Sequence, residues 1–155
     1  PMHQHSQKLE RFVYGGSQDS RVLLDRASGF ANDGCYEKAI SICDQVLALD
    51  PQNESAWYLR GDAFANIRRY QEALVSFERV LELRPDYYAA WVFRAVVLIY
   101  LEKYQDALKS CDRALEIAPD DPEAWLFKGV ALQRLGKYRQ AYDSYRCAST
   151  QDHQE

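Results

Sequence analysis

The sequence predicts an all-α chain of four stacked antiparallel helix pairs, and three observations predict it. Trp57, Trp91 and Trp125 recur at one constant step, and the same step links Tyr36, Tyr70, Tyr104 and Tyr138, then Ala39, Ala73, Ala107 and Ala141. A period of this size marks a stack of identical supersecondary units. Within each unit the apolar residues recur at three- and four-residue steps, as in Ala73, Leu74, Phe77, Val80 and Leu81, which is the spacing of one face of a helix. Prolines at the same period, Pro51, Pro85 and Pro119, divide one unit from the next, because proline cannot continue a helix.

Taken in order, residues 1–19 form an N-terminal segment with a short amphipathic helix. Leu9, Phe12 and Val13 share one face of it, Gly15-Gly16 ends it, and it shields the first repeat or folds back into the groove. Pro1 ahead of Met2 reads as the remnant of a removed expression tag. The repeats occupy 20–53, 54–87, 88–121 and 122–155. Their helix-to-helix turns are expected at Asp33–Gly34, Ile67–Arg68, Glu102–Lys103 and Gly136–Lys137. Small residues at Ala27, Gly61, Ala95 and Gly129 let the paired helices approach closely. In the fourth repeat Ser149 and Gln151 stand where Leu47, Leu81, Leu115 and Leu49, Leu83, Ile117 stood, which reads as a polar cap on a chain ending near Glu155. Tyr142 and Tyr145 are expected to stay partly exposed there.

The Trp, small residue, aromatic, Tyr, Ala and Pro columns at this step resemble the tetratricopeptide repeat, from Ser20 to Glu155. The resemblance implies a right-handed α-solenoid whose first helices line a concave groove that binds polypeptide. It also allows a known subgroup to be tested, the chaperone-binding carboxylate clamp of Lys, Asn and Arg on successive first helices. The corresponding places here are Leu24, Ser28, Leu59, Ala89 and Phe93, or Tyr58, Asp62, Phe93, Glu123 and Phe127 one repeat later. Neither set holds a basic residue, so an acidic chaperone tail is not the expected ligand.

With 19 Lys and Arg against 23 Asp and Glu, the net charge of −4 gives no reason to approach nucleic acid or an anionic membrane. No apolar run approaches the ~20 residues of a membrane span, and no signal-peptide pattern opens the chain, so a cytoplasmic protein is expected. Cys35, Cys43, Cys111 and Cys147 form no CxxC pair, which suggests reduced structural thiols and no metal site. His3, His5 and His153 lie in the terminal segments, and no phosphate loop or nucleophile elbow is present; neither an enzyme nor a cofactor is expected.

Two columns carry charge: Arg26, Arg60, Arg94 and Lys128, answered by Asp44, Glu78 and Asp112. Fixed register of opposite signs predicts ion pairs repeated along the stack. The groove, read from the family pattern, takes Leu24 with Ser28 and Asn32 from the first repeat, and Tyr58, Leu59, Asp62 and Asn66 from the second. The third gives Val92, Phe93, Val96, Ile99 and Tyr100; the fourth gives Leu126, Phe127, Val130 and Arg134, with Gln133 beside it on the rim. An apolar or amphipathic segment of a partner protein is therefore the expected occupant, with a homodimer through the same surface or the C-terminal repeat as the alternative. Phe93→Asp is expected to abolish binding and leave helicity intact.

Overall fold

The computed structural model describes residues 16–152, all of them in helices or the short turns between. Eight helices follow one another: α1 Gly16–Asn32, α2 Tyr36–Leu49, α3 Glu54–Asn66, α4 Tyr70–Leu83, α5 Tyr88–Tyr100, α6 Tyr104–Ile117, α7 Pro122–Arg134 and α8 Tyr138–Asp152. Odd and even helices pair as hairpins, and each even helix also packs on the next odd one. The fold is the all-α solenoid that the period predicts. The first helix opens at Gly16, ahead of the expected start of the first repeat at Ser20. Leu9, Phe12 and Val13 lie outside the described residues, as do the three histidines.

The four hairpin turns share one hydrogen-bonding motif at the places expected. Cys35, Arg69, Lys103 and Lys137 donate their backbone N–H to the carbonyls of Phe30, Phe64, Leu98 and Leu132, at 2.7–2.9 Å. This closure requires a left-handed residue just before the donor. Glycine supplies it at Gly34 and Gly136, with φ of 79° and 78°, but Arg68 and Glu102 adopt φ of 64° and 61° in the two inner repeats. A Cβ in that region costs about 1–2 kcal/mol, so the inner turns are the strained ones.

The first helices begin after the prolines, where side-chain caps replace lost backbone partners. Asn53 Oδ1 accepts from the Ala56 N–H at 3.0 Å, and Asp121 Oδ1 from the Glu123 N–H at 2.9 Å. Each tryptophan ties its ring to the preceding linker: the indole N–H of Trp57, Trp91 and Trp125 donates to the carbonyl of Pro51, Pro85 and Pro119 at 2.8 Å in every case. The period in tryptophan is thus a period in linker geometry.

Gly61 and Gly129 mark the close approach of paired helices, and the structure shows what each of them faces. A Cβ on Gly61 would lie 2.9 Å from the Phe77 ring, and one on Gly129 2.6 Å from the Tyr145 ring. Phe77 and Tyr145 follow their glycines at the same offset along the chain, and that offset from Ala27 and Ala95 reaches Cys43 and Cys111, both buried. Where the column holds glycine the residue at that offset is a large ring, and where it holds alanine it is a small buried cysteine, so side-chain volume is balanced along the stack. This complementarity is readable in the sequence once the offset is known.

The charged columns pair as expected: Arg60 with Asp44 at 2.9 Å, Arg94 with Glu78 at 3.4 Å and Lys128 with Asp112 at 2.9 Å. Each rung joins an even helix to the next odd one. The arginines reach further inward, where Arg60 donates to Ser76 Oγ at 2.8 Å and Arg94 to Ser110 Oγ at 2.5 Å. Both serines are buried, so the guanidinium satisfies a hydroxyl that would otherwise be left without a partner on that side.

Candidate functional site: the inner face of the solenoid

The odd helices approach one another, α1 with α3 and α5 with α7, whereas no even helix packs comparably on another. The stack therefore curves toward the odd helices, which line its inner face. On that face the junction of the second and third repeats is aromatic. Tyr58 meets Phe77, Tyr87 and Phe93 edge-on with ring centroids 5.9, 5.2 and 6.0 Å apart, and Phe77 stacks on Phe93 at 5.8 Å. Tyr70 and Tyr100 stack at 4.6 Å along the turn edge.

These contacts sort the residues expected in the groove. Val92 is only 2% exposed and packs with Ala114 and Ala124 at the junction of the third and fourth repeats, so it is core and not groove. The physical reason is that the next repeat covers its side of α5. Leu24, Leu59, Phe93 and Ile99 are half-buried against the main core, as Phe127 is against the third-to-fourth junction. Because Phe93 meets both Tyr58 and Phe77, Phe93→Asp would act on the aromatic junction as well as on the groove. Half-open Val96 and Val130 remain, one repeat apart, with exposed Tyr100, while exposed Leu126 holds the place of Val92 and so faces the end of the stack. Asn66 and Arg134 are exposed and Asp62 half-buried on the polar rim. Asn66 is held by its Nδ2 donating to the Asp62 carbonyl at 2.8 Å.

Burial raises the pKa of the Asp62 carboxyl, and among the described residues it has no ion-pair partner. Burial pushes the Tyr58 hydroxyl up to about 12, with the Tyr87 hydroxyl and the Asp62 and Glu123 carboxylates adding to the shift. The sequence offers Glu123 only as a clamp position and not as groove; its carboxylate bears on the Tyr58 hydroxyl from two repeats away, an influence that no local pattern encodes. Nearby, the Tyr88 hydroxyl is buried without a well-formed hydrogen bond, and burial with the adjacent Asp121 carboxylate raises its pKa as well.

No group of three or more metal-ligating side chains occurs among the described residues. The Cys43 and Cys111 thiols are pushed up to about 12, chiefly by burial, which keeps them protonated and unreactive. No described helix is long and apolar enough to cross a membrane. In the earlier repeats Leu49 and Ile117 prove to be exposed, so the column they share with Leu83 and Gln151 faces solvent at both places. Of the two columns read as a polar cap, only that of Leu47, Leu81, Leu115 and Ser149 is a packing column.

No curated protein matches the chain in a sequence comparison. Among solved structures, a crystal structure of MamA superposes with a TM-score of 0.84 over 96% of this chain and 85% of that one, at 20% identity, a likeness of fold alone. YrrB, described as a tetratricopeptide-repeat protein with an unusual peptide-binding site, matches with a TM-score of 0.75 at 26% identity over 84% of this chain and 67% of its own. The first repeat domain of Spaghetti (RPAP3), solved with an HSP90 peptide, matches with a TM-score of 0.75 at 25% identity over 77% of this chain and 95% of its own. The tetratricopeptide repeat family model matches residues 24–87, 58–122 and 94–151. With its period, helix pairs and linker geometry accounted for, the chain belongs to the tetratricopeptide repeat family.

Proposed function

We propose that this chain is a protein-interaction adaptor and not an enzyme, holding an apolar or amphipathic polypeptide segment on its inner face. The observation that carries the reading is the pair Val96 and Val130, half-open one repeat apart, continued by exposed Tyr100 and bordered by Asp62, Asn66 and Arg134. Apolar side chains left open in a row, with a polar border, are what an anchored peptide buries. Peptide binding by YrrB and by the Spaghetti domain supports the same use of the fold. The absence of a cation at Leu24, Ser28, Leu59, Ala89 and Phe93, together with the Asp62 and Glu123 carboxylates, argues for a segment other than an acidic chaperone tail. Neither nucleic acid nor an inserted membrane is part of the proposal. Buried, protonated thiols suit a reducing compartment such as the cytoplasm.

The test is selection of displayed random peptides on the intact chain. Selected peptides should share apolar anchors and lose binding to Val96→Asp and Val130→Asp, two substitutions at half-open positions outside the aromatic junction. Peptides without apolar anchors, or binding that survives both substitutions with unchanged helicity, would sink the reading. A second reading, self-association, draws on exposed Leu126 and Tyr142. Light scattering over a wide concentration range separates the two, because a dimer dissolved by Val130→Asp would mean that a second copy fills the inner face.

A further inference from the structure

The ladder of ion pairs has a rule that its last rung reverses. Asp44, Glu78 and Asp112 each face a cation on the odd helix of the following repeat, at 2.9, 3.4 and 2.9 Å. The next residue in that column is Arg146, on α8. Its guanidinium lies over the Tyr142 ring, 6.0 Å from the centroid, and among the described residues it joins no ion pair. It lines a cavity of about 400 Å³ with Asp120, Trp125, Asp143, Cys147 and Thr150. The apolar members of the same surface are also left open. Leu126 stands one repeat after Val92 and Tyr142 two repeats after Leu74; the earlier members are buried, yet the later ones are exposed. The C-terminal face thus keeps large apolar side chains where a helix would pack, while inverting the one charge that selects which helix packs.

We propose that the exposed face of α7 and α8 is a second docking surface, for an acidic amphipathic helix of a partner protein. That helix takes the place of a fifth odd helix, with a carboxylate on Arg146 where this chain's own odd helices carry Arg or Lys. Four residues before the cation those helices carry Ala56, Ala90 and Ala124, all buried in the junction, so the docking pattern is a small residue followed four later by Asp or Glu. A second copy stacking head to tail is disfavoured by the same rule, because its first odd helix would bring Arg26 against Arg146.

The test uses stapled helical peptides of about 18 residues, long enough to hold a helix when braced. They carry the pattern Ala-x-x-x-Glu or Ala-x-x-x-Lys on one apolar face and are titrated onto the intact chain. The Glu peptide should bind at least about tenfold more tightly, with a preference that Arg146→Glu inverts, Arg146→Gln abolishes and Val96→Asp leaves alone. Equal binding of the two peptides, a preference indifferent to Arg146, or binding to neither overturns the proposal. So does a dimer in light scattering that the Arg146 variants alter, since the face would then belong to a second copy.

Discussion

Val92 and Leu126 occupy the same place in successive repeats, yet Val92 is 2% exposed and Leu126 44%. Leu74 and Tyr142, two repeats apart, form a similar pair, at 8% and 64%. The sequence period treats these residues as equivalent, and the structure does not. What differs is the neighbour: the second and third repeats each have a helix pair on both sides, and among the described residues the fourth repeat has one on one side only. In a solenoid stability is close to a sum of units and nearest-neighbour contacts, so the last unit rests on a single interface. The lesson is that a repeat position has an intrinsic chemistry and a borrowed burial.

The largest expected effect tests that borrowed burial. Phe77→Ala empties the aromatic junction and should cost about 3–5 kcal/mol, whereas Tyr145→Ala, at the matching place beside the open end, should cost less than half as much. Urea midpoints with unchanged slopes would check this, and equal losses would show that the fourth repeat is as firmly held as the second. Next, Gly61→Ala and Gly129→Ala both drive a methyl into a ring, at 2.9 and 2.6 Å. Phe77 is enclosed and cannot yield, so Gly61→Ala should lose about 1–2 kcal/mol. Tyr145 can swing toward solvent at the open end, and the helix-propensity gain of about 1 kcal/mol should bring Gly129→Ala close to neutral. A greater loss at Gly129, where the contact is shorter, would mean that contact distance and not freedom to move decides.

The turns reverse the comparison, since here the inner repeats carry the strain. Arg68→Gly and Glu102→Gly should each stabilise by about 0.5–1 kcal/mol, read as a rise in thermal midpoint; Gly136→Ala should do the opposite. The smallest effect concerns Asp62. Its folded-state pKa is raised by burial, so the folded chain binds the proton more readily than the unfolded chain does. Stability therefore falls as pH rises from the ordinary carboxylate range through the raised value, and the penalty is complete above it. Asp62→Asn should remove that slope and raise stability at neutral pH by a few tenths of a kcal/mol, a modest figure because the side chain is only half-buried. A stability profile unchanged between pH 3 and 7 would refute it; those limits are chosen to span about one unit below the ordinary value and well above it.

Much of this was legible in the chain itself. The tryptophan, tyrosine and proline columns place every hairpin turn and linker, because helix breaking and helical periodicity are local properties. The ion-pair ladder is legible too, since opposite charges in fixed register must meet once the period is known. The exposure of the residues expected in the groove was legible only in part. Val96, Val130, Tyr100, Asn66 and Arg134 are open or half-open as the pattern implies, while Val92 is taken by the fourth repeat and Phe93 by the aromatic junction. The influence of Glu123 on Tyr58, a residue of a different repeat, is signalled by no spacing within its own repeat.

The sequence by itself determined what repeats: helix pairs, their breaks, the pairing of charges and the matching of glycine to ring and alanine to thiol, all set by residues within one or two turns or one fixed step. Only the tertiary structure decided what is covered. Burial depends on which helix lies across a residue from another part of the chain, and identical places in the repeat receive different neighbours according to their distance from the end of the stack.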